Sequence, residues 1–348
     1  MQANQLVSII IPTYNRVDFI PETINSIIQQ TYSNWEAIIV DDGSDAENFL
    51  TIQKIVEQDS RIQLHKRFKE TKGASVCRNI GLKLATGKYT LFLDSDDLLA
   101  PNCLEVRVKL MDSNPTIDFG VFQSVVFKEN IKGKTVLWNI DTNEDDLLRF
   151  LRKDALWQTT SPLYKTSSLL NIGGFDENLI IWQDYELHTR TIYSDLEYRK
   201  FLDLAPDFYI RHHQRESISQ KGFKRKEALL CREEILFGFC NELKKRNKFT
   251  KGRKNALVSA FIVHCKGWIE AFLDVQNAKR LWARVYDARL VNYFEFSLIN
   301  FYLQSYTTEK INASVLNRIS RKAISLILPF YFDKRTFLNK VRYNGQIN

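Results

Sequence analysis

Two aspartates separated by one residue, Asp94 and Asp96 in the run Leu93-Asp94-Ser95-Asp96-Asp97, are the side chains of this 348-residue sequence whose type and spacing point most directly to chemistry. Paired hard oxygen donors at one turn suit Mg²⁺ or Mn²⁺, ions that keep several waters and bridge to phosphates. A metal so placed on a diphosphate offsets the charge that develops as the diphosphate departs. The competing reading is a helix cap ahead of a helix starting near Leu98, because Asp is the default residue at strand-to-helix turns. Two other polar clusters accompany the acids: Pro12-Thr13-Tyr14-Asn15-Arg16 and Asp41-Asp42-Gly43-Ser44. Between them and the acids, Lys72 and Arg78 are cationic donors suited to phosphate or carboxylate, unless they line a solvated helix face.

The elements around these residues follow from periodicity. Val7 to Ile11 is a continuous β-branched run, the mark of a strand buried on both faces, closed by Pro12. A helix is predicted from about Pro21 with Ile24, Ile27 and Ile28 on one face, then a strand over Ala37–Val40. A helix over Phe49–Gln58, a strand near Ile62–Leu64 and a helix from about Ala74 to Ala85 follow, the last stopped by Gly87. Tyr89–Leu93 is a strand that runs straight into Asp94. Strand and helix alternating at these lengths predict an α/β fold with a mainly parallel sheet and helices on both faces. Such sheets bind ligands at the carboxyl ends of their strands, and all three polar clusters stand there. Strands are expected near Phe119–Phe127 and Leu202–Ile210, with a helix over Asp184–Ser194. Beyond a boundary near 215–225 helical periodicity dominates, which divides the chain into a region 1–220 and a helical region 221–348.

Taken in order, VSIIIPTYNR, IIVDDGS and KGASVCRNIGLKLATGKYTLFLDSDD resemble the family 2 glycosyltransferases of GT-A fold. The resemblance covers roughly residues 5–215 and implies an enzyme of the hexosyltransferase class that uses a nucleotide-activated sugar. It places Pro12, Thr13 and Tyr14 beside base and ribose, and Asp42 on the base, with Asp41 as the alternative for that contact. Lys72, Gly73 and Arg78 flank base and diphosphate, and Asp94 and Ser95 lie in the nucleotide site. Asp96 is the preferred direct metal ligand, with Asp94 beside it. Gly173-Gly174-Phe175-Asp176-Glu177 and Trp182-Gln183-Asp184-Tyr185-Glu186-Leu187 resemble the segment that carries the general base, here Asp184, for attack by an acceptor hydroxyl with inversion. Gln183 replaces the usual Glu and is expected to face the acceptor; the alternative for Asp184 is a helix N-cap. Of His212-His213, one is expected near metal or phosphate, His213 by preference. Trp157 is a candidate acceptor platform, although a buried core tryptophan is the commoner outcome. A ring N–H facing Asp42 fits uracil, and also thymine and guanine, so a UDP-sugar is the preferred donor; the expected acceptor is a glycan or lipid-linked glycan.

Composition bounds the remaining classes. Hydrophobic residues make up 44% and charged residues 26%, the balance of a chain that buries a sizeable core. Five scattered cysteines without metal spacing read as reduced thiols, His65, His188 and His264 as structural, and the first residues as a strand rather than a signal peptide, all consistent with a cytoplasmic protein. No Gly-rich phosphate loop follows the first strand, which disfavours a nucleotidyltransferase or a dinucleotide enzyme. A catalytically silent nucleotide-sugar-binding module is the other alternative, favoured by Gln183 alone. No nucleic-acid motif accompanies the net charge of +8. Most of that charge falls between Glu309 and Arg342, where eight Lys/Arg stand against two acids. Leu316, Ile319, Ala323, Ile324, Ile327 and Leu328 make residues 314–342 a basic amphipathic segment, suited to docking on the preceding helices or to peripheral contact with an anionic membrane.

Overall fold

The apolar runs of the first hundred residues become parallel neighbours. In the computed structural model, which describes residues 4–128, 135–138, 140–212, 225–305 and 343, β1 (Val7–Thr13), β2 (Trp35–Asp41), β3 (Ile62–Lys66) and β4 (Tyr89–Phe92) lie in the order β4-β1-β2-β3. Ile9 pairs with Ala37 on one side and Leu91 on the other. All seven residues of β1 are buried, as its Val/Ile-rich run with only Ser8 between Val7 and Ile11 requires. The strand does not stop at Pro12: that residue pairs with Val40, while the β4 register ends at Ile10, so the missing N–H removes no bond from the β4 ladder. Helices α1 (Ile20–Ile28), α2 (Ala46–Val56) and α3 (Ala74–Leu84) make the crossovers. α2 starts three residues earlier than its apolar pattern predicts, because Asp45 caps it by accepting from the Asn48 N–H at 2.9 Å.

Gly87 has a different role from the helix stop read in the sequence. α3 ends in an extended residue, Ala85, and a Cβ at Gly87 would stand 2.7 Å from the Leu6 carbonyl oxygen and 2.8 Å from the Ser8 nitrogen. The glycine lets the chain pass against β1 before β4 begins.

The rest of the α/β region comprises β5 (Leu98–Leu99), α4 (Cys103–Ser113), β6 (Phe119–Phe122), β7 (Ser124–Phe127), β8 (Val136–Leu137), α5 (Asp146–Leu151), β9 (Pro162–Lys165), α6 (Thr166–Asn171), α7 (Gln183–Tyr193), β10 (Tyr198–Phe201) and β11 (Phe208–Arg211). The main sheet runs β10-β6-β9-β4-β1-β2-β3, with β9 antiparallel to both neighbours, and a small second sheet runs β5-β11-β7-β8. Three expectations are corrected here. Phe119–Phe127 is two strands in different sheets, broken at Gln123, whose side chain accepts from the Ser124 N–H. Residues 202–207 leave the sheet, so only the last third of Leu202–Ile210 is strand. The segment after the acidic cluster is β5 and not a helix, and the next helix begins at Cys103.

Four helices follow: α8 (Lys226–Lys245), α9 (Lys251–Phe272), α10 (Val275–Asp287) and α11 (Tyr293–Ser305). Leu229, Leu236, Phe239 and Phe261 join Phe92, Phe119, Phe175 and Leu187 in one apolar cluster, so the helices close the core on one face of the sheet. Glu233, buried among them, accepts from Trp268 Nε1 at 2.6 Å and from Arg280 at 2.8 Å. The five cysteines are free thiols. Among the described residues no helix is long and apolar enough to cross a membrane. His213, most of the expected 215–225 boundary and the basic segment 314–342 lie outside the described residues.

Candidate functional site

Parallel strands point their carboxyl ends at one rim, and four of them deliver the polar loops there. After β1, Tyr14 is more than half exposed, and Asn15 adopts φ +48°, a left-handed backbone that Asn tolerates. The Asn15 N–H donates to Ser44 Oγ at 2.9 Å, and the Asn15 side-chain Oδ1 accepts from the Asp45 N–H at 3.1 Å. The PTYN and DDGS loops are thereby tied together.

The two acids of the DDGS turn divide the work. Asp41 is buried and closes the turn, accepting from the Gly43 and Ser44 N–H groups at 3.1 and 3.0 Å and from the Ser44 hydroxyl. Asp42 instead faces outward to the end of β3. Its Oδ1 accepts from Arg67 Nε at 2.7 Å, and the Gly73 N–H reaches both carboxylate oxygens at 3.1 and 3.0 Å. Two carboxylate oxygens accept about four hydrogen bonds, so capacity remains for a further ring N–H. Cys77 lies beneath, 3.6 Å from Oδ1, its thiol pushed up to about 12 by burial and by the Asp42 charge. Lys72 is exposed at the mouth of this recess, next to Gly73.

At the end of β4, Asp94 and Asp96 are partly exposed, while Ser95 and Asp97 are buried. Asp94 accepts from Arg78 Nη2 at 2.6 Å, and Asp96 lies 3.8 Å from Arg16. Asp97 is a brace: it accepts from the Arg211 N–H at 2.9 Å, while Arg211 Nε donates to the Asp96 carbonyl at 3.0 Å and Nη2 to Glu22 at 2.6 Å. Burial, and then the charges of Asp96 and Asp94, raise the Asp97 carboxyl well above the usual range. A cation beside Asp94 and Asp96 would relieve that crowding, and two accessible carboxylates match an ion that fills its shell with water and phosphate. Among the described residues no third His, Cys or acid completes a protein-only cage.

Asp184 is on the same side of the molecule. It is the second residue of α7 and not its cap; the cap position belongs to Trp182, held at φ +60°. Asp184 Oδ1 accepts from the Tyr185 N–H at 2.8 Å. Its carboxyl is raised chiefly by burial, lowered by that hydrogen bond and by the Arg78 charge, and raised again by Asp94. The residue still meets solvent in part, so the carboxyl is enclosed without being sealed off. Below it, His188 is buried against Tyr164, its ring lowered to about 3 by burial and hence neutral. The segment before α7 is fixed to α3: Asn79 exchanges two 2.8 Å bonds with the Phe175 backbone, and a Cβ on Gly174 (φ +66°) would stand 2.5 Å from Asn79 Oδ1.

Two expected acceptor contacts fare differently. Trp157 is withdrawn: it is 2% exposed and packs edge-on against Phe150 at 4.8 Å, because the aromatic cluster of α5, β6 and α7 closes over it. Gln183 is partly exposed, with its amide donating to the Leu179 carbonyl at 2.9 Å. His212 is exposed at the end of β11, its N–H bonded to the Phe127 carbonyl. Arg67 and Arg211 were not singled out in the sequence, and Arg16 and Trp182 stood only within quoted motifs, without a role of their own. Arg67 and Arg211 stand at the ends of β3 and β11, the signal that marks the residues which were.

Residues 8–175 match the family model described as glycosyl transferase family 2. An uncharacterized glycosyltransferase of Rickettsia bellii is 43% identical over 109 residues, 31% of this chain and 15% of that one. The Escherichia coli protein named UDP-Glc:alpha-D-GlcNAc-diphosphoundecaprenol beta-1,3-glucosyltransferase WfgD is 41% identical over 133 residues, 38% of this chain and 51% of WfgD. The matched region thus spans between one seventh and about half of these relatives. Among solved structures, S. aureus TarS in complex with UDP-GlcNAc superposes with a TM-score of 0.62 at 19% identity, over 92% of both chains, which shows a shared fold reaching through the C-terminal helices. Residues 8–175, which carry the PTYN, DDGS and DSDD loops and make up just under half of the chain, are thus similar to glycosyl transferase family 2.

Proposed function

We propose that this chain transfers a sugar, with inversion, from a nucleotide-diphosphate donor to a hydroxyl of a glycan or lipid-linked glycan acceptor. The observation that carries the reading is the enclosed but reachable carboxyl of Asp184 within the field of the Arg78–Asp94 pair, since that arrangement sets a base beside a phosphate-binding rim. Asp42 receives the ring N–H of the base, with Tyr14, Thr13 and Pro12 lining the base and ribose side and Lys72 and Gly73 closing it. Arg78 donates toward the diphosphate; its buried Nε has no hydrogen-bond partner in the protein. Asp184 takes the proton of the acceptor hydroxyl as it attacks from the face opposite the diphosphate, and Gln183 borders that hydroxyl. Asp96 and Asp94 would hold a Mn²⁺ or Mg²⁺ ion, which would supply neutralisation of the charge on the diphosphate. The UDP-GlcNAc ligand of TarS favours a UDP-sugar, and the acceptor in the name of WfgD favours a lipid-linked glycan. Peripheral membrane contact would suit that acceptor.

The test is a calorimetric panel of UDP, GDP, dTDP and CMP, each with and without Mn²⁺. Tightest binding of UDP, strengthened by Mn²⁺, is expected. Metal-independent binding, or a preference for CMP, would overturn the donor assignment. UDP binding without turnover of any UDP-sugar, even to water, would instead favour a silent binding module.

A further inference from the structure

The loop that joins β3 to α3, residues 67–73, alternates in exposure at its start. Phe68 and Glu70 face solvent, as do Thr71 and Lys72, while Arg67 and Lys69 are half-buried. Arg67 turns back to Asp42 and stays within the nucleotide side. Lys69 crosses instead to a segment 108 residues away: its Nζ donates to both carboxylate oxygens of Glu177, at 2.7 and 2.6 Å. Glu177 Oε1 also accepts from Asn79 Nδ2 at 3.0 Å. Burial alone would raise the Glu177 carboxyl, but the bonds from Lys69 and Asn79 hold it below the usual range, so the pair is charged. The segment that receives Lys69 touches both halves of the site. Phe175 carries the Arg78 guanidinium over its ring at 5.0 Å. Arg190 of α7 donates to the Ile172 and Gly174 carbonyls at 2.7 and 2.6 Å and to Glu186 at 2.7 Å, which fixes the segment to the helix that carries Asp184.

We propose that the Lys69–Glu177 pair is a positioning clasp, which holds the donor loop 67–73 in register with the segment that leads to Asp184. A partly exposed ion pair contributes little to folding stability, so what the clasp supplies is registration. Group transfer is sensitive to displacements of about 1 Å, and the clasp limits how far the Asp42 side and the Asp184 side can drift apart. The inference rests on the transfer reading of the same site.

A double-mutant cycle of Lys69→Met and Glu177→Met in the full chain tests it. The readouts are UDP–Mn²⁺ calorimetry, UDP release from a panel of UDP-hexoses and UDP-N-acetylhexosamines, and melting temperature. Each single variant is expected to lower kcat per UDP-binding site about tenfold while UDP affinity stays within about threefold, because Arg67 still holds Asp42. The double variant should be no slower than the slower single one, as partners in one contact require. Lys69→Arg should restore kcat, since a guanidinium spans the same two oxygens. The clasp is overturned if both singles keep the parental kcat, if their effects add, or if Lys69→Arg is as slow as Lys69→Met. It is also overturned if UDP affinity falls as far as kcat, which would confine the pair to the donor loop. A lower melting temperature with kcat per binding site unchanged would make the pair merely structural and overturn it too. A parent that binds no UDP, or turns over none of the panel, would overturn the transfer reading and this inference with it.

Discussion

Asp42 and Asp94 on one side of the site, and Asp184 on the other, are the same residue type in opposite settings. Each of the first two is gripped by an arginine, Arg67 at 2.7 Å and Arg78 at 2.6 Å, and the Asp42 loop is further tied to the loop after β1 by the Asn15–Ser44 bond. Asp184 accepts one backbone N–H, is enclosed by its surroundings and feels Arg78 only through space. The difference teaches that the environment divides the roles. Carboxylates paired with guanidinium groups are held as fixed acceptors, while a carboxyl raised by burial is set up to exchange a proton.

Substitutions can break that division, and the largest effect is expected where the two settings meet the diphosphate. Asp96→Asn should abolish the Mn²⁺ dependence of UDP binding and reduce turnover by on the order of a hundredfold or more, read by calorimetry and steady-state rates. Arg67→Met frees the Asp42 carboxylate from its tether, and UDP affinity should weaken about tenfold, the worth of one charge-assisted hydrogen bond. Unchanged affinity would show that Gly73 alone positions Asp42.

The pH profile sharpens the comparison further. A base must be ionised to act, and burial raises the Asp184 carboxyl, so activity should fail on acidification at a pH above the ordinary carboxylate range. Arg78 favours the ionised form, so Arg78→Gln should move this acid limb upward; Asp94 opposes it, so Asp94→Asn should move it down. An acid limb that both variants leave in place would separate Asp184 from the observed titration. The smallest catalytic effect is expected at Trp157. Trp157→Ala should cost about 3–5 kcal/mol of stability by thermal or chemical unfolding and leave the acceptor KM of the folded enzyme unchanged.

The same contrast explains what was legible in the sequence. Strands buried on both faces must be apolar at successive positions, so β1, β2 and β4 stood out as Val/Ile/Leu runs and their ends located the rim. Asp94 and Asp96 alone read more readily as caps; what removed that alternative is β5, a two-residue strand too short to announce itself. The partners of the acids were hidden because they come from distance along the chain: Arg67 is 25 residues from Asp42, and Arg211 is 189 from Glu22. Trp157 and the break at Gln123 depended on which sheet each segment joined, and local apolar patterning is the same in both. The helical region was legible as helices, but its closure of the sheet's core was not, since an apolar stripe does not name its partner.

The central claim, that Asp184 acts on the acceptor while the opposite side of the site holds the donor, is tested most directly by Asp184→Asn assayed for both UDP–Mn²⁺ affinity and sugar transfer. Affinity within about twofold of the parent, with turnover reduced by roughly 10²–10⁴-fold, is the expected result. Full activity in the variant, or a loss of nucleotide binding that matches the loss of turnover, would contradict it.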